Sequence, residues 1–88
     1  MGRKLFSPIL IGDLTINNRI VVAPMCQYSA VDGCATDWHL MHLGQFCISG
    51  AGLVFVEATA VEKRGRITPG CLGIYSKKNE KELTKIIN

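Results

Sequence analysis

Apolar residues along this chain fall into short continuous runs separated by one longer stretch with helical spacing. Residues 9–16 form two β-type runs around Gly12-Asp13, and a glycine at the first central position predicts a type II′ hairpin turn. The uninterrupted apolar run 20–23 predicts a strand that Pro24 ends. A run without polar alternation is typical of a strand buried on both faces of a parallel sheet.

Residues 38–49 have the spacing of a helix, which Thr36 or Asp37 can cap. The segment 50–52 is Gly-Ala-Gly, which predicts a helix end with a C′ glycine. At helical spacing one face carries Trp38, Met41, Gln45 and Ile48, with Leu40, Leu43 and Cys47 beside it.

The remaining pattern predicts a second strand over 53–58, a long loop over 62–76 and a second helix over 79–88. Leu83, Ile86 and Ile87 share one face of that helix. The order strand, helix, strand indicates an α/β fold with a parallel β-α-β unit. Two parallel strands cannot cover their own edges, so we expect these residues to open a larger α/β domain. A (β/α)8 barrel takes ~250 residues, of which this chain supplies about two of eight units.

Composition excludes several classes of protein. The 88 residues are 48% hydrophobic and 19% charged, which is too apolar for a disordered segment. The net charge of +3 comes from scattered basic residues, so we expect no nucleic-acid partner. No apolar run approaches the ~20 residues of a membrane span. The basic start is followed by Pro8, Gly12 and Asp13, which interrupt a signal sequence, so we predict a cytoplasmic protein with no membrane partner.

The cysteines and histidines do not form a strong metal motif. The four cysteines are widely spaced without a C-x-x-C pair, and three of them are interpreted as small packing residues. His39 and His42 stand at i and i+3 and could approach one ion, but no further ligand set is evident. We therefore expect structural histidines and no metal site.

The segment 24–28, Pro-Met-Cys-Gln-Tyr, follows the first strand directly. The carboxyl ends of barrel strands carry the active site. The Cys26 thiol could tune a cofactor or act as a nucleophile, and the Tyr28 hydroxyl could donate to a carbonyl. The residues alone leave equally open that Met25 and Cys26 only pack beneath a loop.

The end of the second predicted strand also carries candidate residues. Ala58 is small enough to let a flat ligand approach the backbone, and Glu57 could act as a base or pair with Arg19 or an unseen cation. Arg64 and Arg66 in the next loop could meet a phosphate, although a solvated loop is the favoured interpretation.

The run Ala-Pro-Met-Cys-Gln-Tyr-Ser at 23–29 resembles the first strand end of the old yellow enzyme family. It is most similar to the bacterial NADPH dehydrogenases and xenobiotic reductases that carry a cysteine here. The chain departs from the family pattern at two places. Residues 46–49 replace a stretch that usually contains Arg and Ala, and Cys71 stands where an acidic residue is usual. Other blocks agree in the same order over nearly the whole chain, namely 5–8 with 18–20, 37–40 with 42–44, 52–61, and 65–70 with 72–74.

This resemblance implies an α/β fold that is the N-terminal part of a (β/α)8 TIM barrel. The chain would supply the bottom hairpin, strand 1, helix 1, strand 2 and the start of helix 2, so that residues 1–88 form a fragment of one domain binding flavin mononucleotide (FMN). Such enzymes pass a hydride from NADPH or NADH through the flavin to the β-carbon of an activated alkene such as an enone. We also expect a homo-oligomer at full length.

The resemblance also assigns residues by position. Cys26 and Tyr28 are the candidate catalytic residues, with Cys26 tuning the flavin and Tyr28 touching the substrate. The flavin phosphate site and the substrate-anchoring residues would lie beyond Asn88. The residues expected to contact the flavin are Ala23, Pro24, Met25, Cys26 and Ala58.

Because those parts would lie elsewhere, the 88 residues alone are not expected to be a competent reductase. One alternative is a catalytically inactive barrel fragment that acts only as a structural or interaction remnant. A second is a small metal-binding module that uses His39, His42 and a cysteine. A third is a different flavin barrel, such as a dienoyl-thioester reductase.

Overall fold

Short strand pairs and two helices make up the α/β fold of the computed structural model, which describes residues 4–87. The start of the chain at 1–3 and Asn88, the predicted end of the second helix, lie outside the described residues. The strands are β1 (Ile9–Ile11), β2 (Leu14–Ile16), β3 (Val21–Val22), β4 (Leu53–Val54), β5 (Thr59–Ala60) and β6 (Leu72–Gly73). The α-helices are α1 (Asp37–Cys47) and α2 (Lys77–Ile87), and 3-10 turns cover Lys4–Phe6 and Lys63–Gly65.

The predicted hairpin is confirmed. β1 and β2 pair antiparallel, with Ile9 opposite Ile16 and Ile11 opposite Leu14. Gly12 at the first central position has a φ of +59°, and Asp13 is not among the described residues with positive φ. A type II′ turn needs a positive φ only at its first central residue, so this glycine is required by the turn.

The predicted parallel unit is also present, but its strands are shorter than expected. β3 and β4 pair in parallel, with Val21 opposite Leu53, and α1 lies between them in the chain. Ile20 and Val21 are exposed, so the prediction that this strand is buried on both faces is wrong for this chain. The cause is that β3 has one neighbouring strand among residues 4–87, which leaves its other edge uncovered.

The predicted second strand, 53–58, is a strand only over its first two residues, and a further short strand begins just after it. Only β4 pairs with β3, and residues 59 and 60 form β5, which pairs in parallel with β6. β6 lies inside the segment that was predicted to be a loop. Pro69 and Gly70 precede it in the sequence, which is typical of a loop. A strand of two residues is also too short to show the alternation by which strands are predicted.

Helix α1 buries residues that lie outside the face shared by Trp38, Met41, Gln45 and Ile48. Thr36 is the N-cap, as expected, and the helix ends at Cys47 with Ile48 as the C-cap, so Gly50 lies one position beyond C′. Apolar residues occur all round this helix, and therefore their pattern does not fix which side faces inward. The four residues of that shared face are exposed, and the buried residues are His39, His42 and Leu43.

Helix α2 closes a small core over β6. Of the residues predicted to share one face of this helix, Leu83 is 7% exposed, whereas Ile87 is 60% exposed. The buried Asn79 fastens the same helix to an earlier turn, because its Nδ2 donates to Asp32 O at 3.0 Å and to Cys34 Sγ at 3.2 Å. The core cluster consists of Ala30, Ala35, Leu72 and Leu83, with Val56 and Ile86 packed against it.

Truncating Leu83 should therefore weaken the fold far more than truncating Ile87 one turn later. We expect Leu83→Ala to lower the free energy of unfolding by about 2–5 kcal/mol, because it leaves a cavity beside Leu72. Ile87→Ala should change it by less than about 0.5 kcal/mol. Denaturant titration of both variants measures the difference, and equal losses would contradict the assigned helix face.

Candidate functional site

The parallel pairing of β3 and β4 brings the segments that follow them to one edge. Phe55 N donates to Val22 O at 3.0 Å, so the two chains stay side by side as they leave the strands. Residues 23–26 follow one strand and residues 55–58 follow the other. Ala23, Pro24, Met25 and Ala58 are exposed here and Cys26 is half-buried, so Met25 is not packed beneath a loop.

The side chain of Gln27 holds the segment after β3 in place. Its Nε2 donates to Met25 O at 2.9 Å, and its Oε1 accepts a hydrogen bond from Trp38 Nε1 at 2.9 Å. The indole of Trp38 therefore reaches this loop. A buried or half-buried amide that is bonded at both ends restrains the backbone around it.

Tyr28 adopts an uncommon backbone conformation beside Gly70. Its φ is +53°, in the left-handed region that residues other than glycine rarely occupy. A Cβ on Gly70 would lie 2.5 Å from Tyr28 O, and Gly70 O accepts a hydrogen bond from Ala30 N at 3.0 Å. The close approach that only glycine permits therefore keeps Tyr28 in this conformation, with its side chain 55% exposed.

Beneath this edge lies a buried pair formed by His39 and Glu57. His39 is 1% exposed and Glu57 is 7% exposed. His39 Nε2 lies 3.7 Å from Glu57 Oε2, and Gln27 N donates to Glu57 Oε1 at 3.5 Å. The sequence suggested Arg19 or an unseen cation as the partner of Glu57, and in the structure His39 occupies that position.

The hydrogen bonds of His39 define its tautomer. Thr36 N donates to His39 Nδ1 at 2.9 Å, and a backbone amide can only donate. The neutral ring therefore carries its proton on Nε2, the nitrogen that faces Glu57. Burial lowers the pKa of His39 below 6.5, and the attraction of Glu57 opposes this shift only in part.

A small cleft lies next to the exposed edge. Its volume is about 110 Å³, and Ala58, Arg66 and Cys71 are among its lining residues. Thr68 N donates to Cys71 Sγ at 3.2 Å, which lowers the pKa of this thiol. Pockets for cofactors and drug-sized ligands measure roughly 300–1,000 Å³, so this cleft alone is too small to hold such a ligand.

The other candidate ligands have ordinary roles. Arg64 Nε lies 3.1 Å from Glu62 Oε2, and Arg66 Nε donates to Lys63 O at 2.9 Å. Within residues 4–87 no three His, Cys, Asp or Glu side chains form a group that could hold a metal ion. No described helix is long and apolar enough to cross a membrane.

The family model of the NADH:flavin oxidoreductase / NADH oxidase family matches residues 4–88. The chain belongs to this family. An NADH:flavin oxidoreductase of Gibberella zeae is 57% identical over 72 residues, which are 82% of this chain and 17% of the relative. An NADPH dehydrogenase of Bacillus subtilis is 47% identical over 88 residues, which are 98% of this chain and 26% of the relative.

Solved structures agree with the assignment. Morphinone reductase superposes with a TM-score of 0.84 at 26% identity, covering 94% of this chain and 22% of that protein. The old yellow enzyme of Trypanosoma cruzi superposes with a TM-score of 0.82 at 28% identity, covering 96% of this chain and 22% of that protein. The chain thus spans about a quarter or less of the length of these relatives.

These comparisons confirm the predicted resemblance to the old yellow enzymes. They also confirm FMN and a nicotinamide nucleotide as the cofactors of this family of oxidoreductases. The pairing of His39 with Glu57 was not predicted from the sequence. Its available signal was the apolar residues on either side of Glu57 in the sequence, because a carboxylate buried among them needs a partner.

The contact of Gly70 with Tyr28 predicts a local effect of Gly70→Ala. A methyl group there must displace the Tyr28 backbone, so we expect the free energy of unfolding to fall by about 1–3 kcal/mol. Gly65→Ala is the matched control, because nothing lies within 4 Å of the added Cβ. Thermal unfolding of both variants tests this, and an unperturbed Gly70→Ala protein would contradict the close approach.

The lowered pKa of His39 predicts acid sensitivity with a definite sign. Below pH 6.5 the unfolded chain binds a proton at this histidine that the folded chain does not bind. The folded state is therefore fully stabilised above that pH, and it loses stability as the pH falls from 6.5 toward the lowered value. We expect His39→Gln to flatten this part of the stability profile measured by urea titration. An unchanged slope would show that other groups cause the acid sensitivity.

Proposed function

We propose that this chain is the N-terminal part of an FMN-dependent ene-reductase. The enzyme would take a hydride from NADPH or NADH and deliver it to the β-carbon of an activated alkene such as an enone. The observation that carries this proposal is the family match over residues 4–88, which includes both segments that meet at the exposed edge.

The chemistry of that edge fits a flat cofactor. Ala23, Pro24 and Ala58 present small side chains to the outside, so a planar ring could contact the backbone on this side. The amides of Met25 and Cys26 donate no hydrogen bond within residues 4–87 and are available to acceptor atoms of a ligand. When bound, FMN supplies the hydride chemistry that amino-acid side chains lack.

Two side chains of this edge have suitable properties for the predicted roles. Tyr28 holds an exposed phenol that can donate a hydrogen bond to a substrate carbonyl, which would polarise the conjugated alkene. Cys26 is a half-buried free thiol on the same segment, where a weak S–H donor can favour one redox state of a neighbouring group. Met25 precedes Cys26 in the chain and is exposed, so it would add apolar contact.

The remainder of the site would come from outside this chain. The match to about a quarter of the relative's length supports a fragment of one larger FMN-binding (β/α)8 barrel domain. The whole protein is expected to form homo-oligomers in the cytoplasm. A catalytically inactive remnant is the second candidate, favoured by the many exposed apolar side chains, such as Leu10, Val61 and Ile67.

Native mass spectrometry with an activity assay separates the two candidates. We expect a protein that contains these residues within a complete barrel to retain one FMN per barrel and to oxidise NADPH when 2-cyclohexenone is added. The 88 residues alone should retain no FMN and show no such activity. Steady turnover by the 88-residue chain would contradict the fragment assignment, and a flavin-free complete protein would favour the remnant.

Tyr28→Phe tests the proposed role of the phenol. We expect kcat/KM for the enone to fall roughly tenfold or more, because one hydrogen bond to the substrate is worth about 1–2 kcal/mol. Tyr75→Phe is a matched control, since the buried Tyr75 hydroxyl has no hydrogen-bond partner among the described residues. Equal rates for Tyr28→Phe and wild type would remove Tyr28 from the substrate site.

A further inference from the structure

The buried pair of His39 and Glu57 lies between helix α1 and the candidate site, and its own contact at 3.7 Å is electrostatic, because His39 Nε2 has no hydrogen-bond partner among residues 4–87. Thr36 N donates to His39 Nδ1 at 2.9 Å, His39 Nε2 faces Glu57 Oε2 at 3.7 Å, and Glu57 Oε1 accepts from Gln27 N at 3.5 Å. Gln27 is the residue between Cys26 and Tyr28. This series of contacts therefore ends on the backbone that carries both predicted catalytic residues.

These contacts require a carboxylate at position 57. Both groups that face Glu57 are donors, because the backbone of Gln27 offers an N–H and His39 has its proton on Nε2. A carboxyl side chain offers an acceptor oxygen toward each of them, Oε1 toward Gln27 N at 3.5 Å and Oε2 toward His39 Nε2 at 3.7 Å. An amide of the same shape would turn its own NH2 group toward one of these donors, so Glu57→Gln cannot satisfy both.

The pair is also well placed to act without touching a ligand. His39 and Glu57 are buried, whereas Met25 and Tyr28 are exposed on the outer side of the same segment. A second restraint, from Trp38 Nε1 to Gln27 Oε1 at 2.9 Å, starts on the same helix. Helix α1 thus holds Gln27 by its backbone through Glu57 and by its side chain through Trp38.

We propose that Glu57, oriented by His39, is a positioning residue that fixes the Gln27 backbone and thereby sets the placement of Cys26 and Tyr28. The part of this inference that concerns catalysis rests on the proposed function. The part that concerns the segment itself does not, because the reactivity of the Cys26 thiol reports its placement whether or not flavin is bound.

The test measures alkylation of Cys26 by iodoacetamide in the purified protein, with each cysteine peptide quantified by mass spectrometry. Cys47 is exposed on the far end of α1 and serves as the internal reference. Rates are followed to their plateau at high pH, where the thiol is fully ionised and the rate reports access rather than the pKa of Cys26.

We expect the plateau rate of Cys26 relative to Cys47 to rise at least about threefold in Glu57→Gln and in His39→Gln, because local opening of the segment becomes easier. Glu62→Gln makes the same change at an exposed glutamate and should leave the ratio unchanged. His42→Gln removes another buried histidine of α1, and it should lower the melting temperature without changing the ratio. The rise in the ratio of the Cys26 rate to the Cys47 rate should be larger in Glu57→Ala than in Glu57→Gln, provided that the Glu57→Ala protein folds.

The outcomes separate the two proposals. A ratio unchanged in folded Glu57→Gln and His39→Gln proteins overturns the positioning role, even if the wild type is an active reductase. A raised ratio in a protein that neither retains FMN nor oxidises NADPH supports the positioning role and overturns the proposed function. In an active protein, the same variants should lower kcat/KM for the enone about tenfold while FMN is retained.

Discussion

The parallel register between β3 and β4 is the constraint on which the rest of this structure depends. Because Val22 lies opposite Val54, the segments that follow them leave the sheet at the same edge. A shift of one residue would turn every side chain of one strand to the other face. The segments 23–28 and 55–58, which carry the exposed alanines, Met25 and Tyr28, meet at one edge because this register holds them there.

Part of this fold could be predicted from the sequence, and part could not. The hairpin, the β-α-β order and the N-cap at Thr36 follow from local rules of turn chemistry, periodicity and capping. These rules do not predict which side of helix α1 is buried, because its apolar residues surround the axis and two of its three buried residues are histidines. β6 was missed for a related reason, since two residues are too few to reveal a period.

Some features of the candidate site could likewise be predicted from the sequence, and others could not. Cys26, Tyr28 and Ala58 could be placed at strand ends because strands precede them in the sequence. The left-handed φ of Tyr28 depends on the close approach of Gly70, and the partner of Glu57 is a histidine 18 positions earlier on a helix. Both are contacts between segments distant in the chain, which neither composition nor periodicity encodes.

Burial explains why His39 serves both the helix and the site. A buried carboxylate requires a donor or a cation close by, and a buried imidazole requires an acceptor for its remaining proton. The Thr36 amide occupies Nδ1, so the helix cap itself orients Nε2 toward Glu57. The beginning of α1 and the loop after β3 therefore face each other across the buried contact of His39 with Glu57, whose Oε1 accepts a hydrogen bond from Gln27 N.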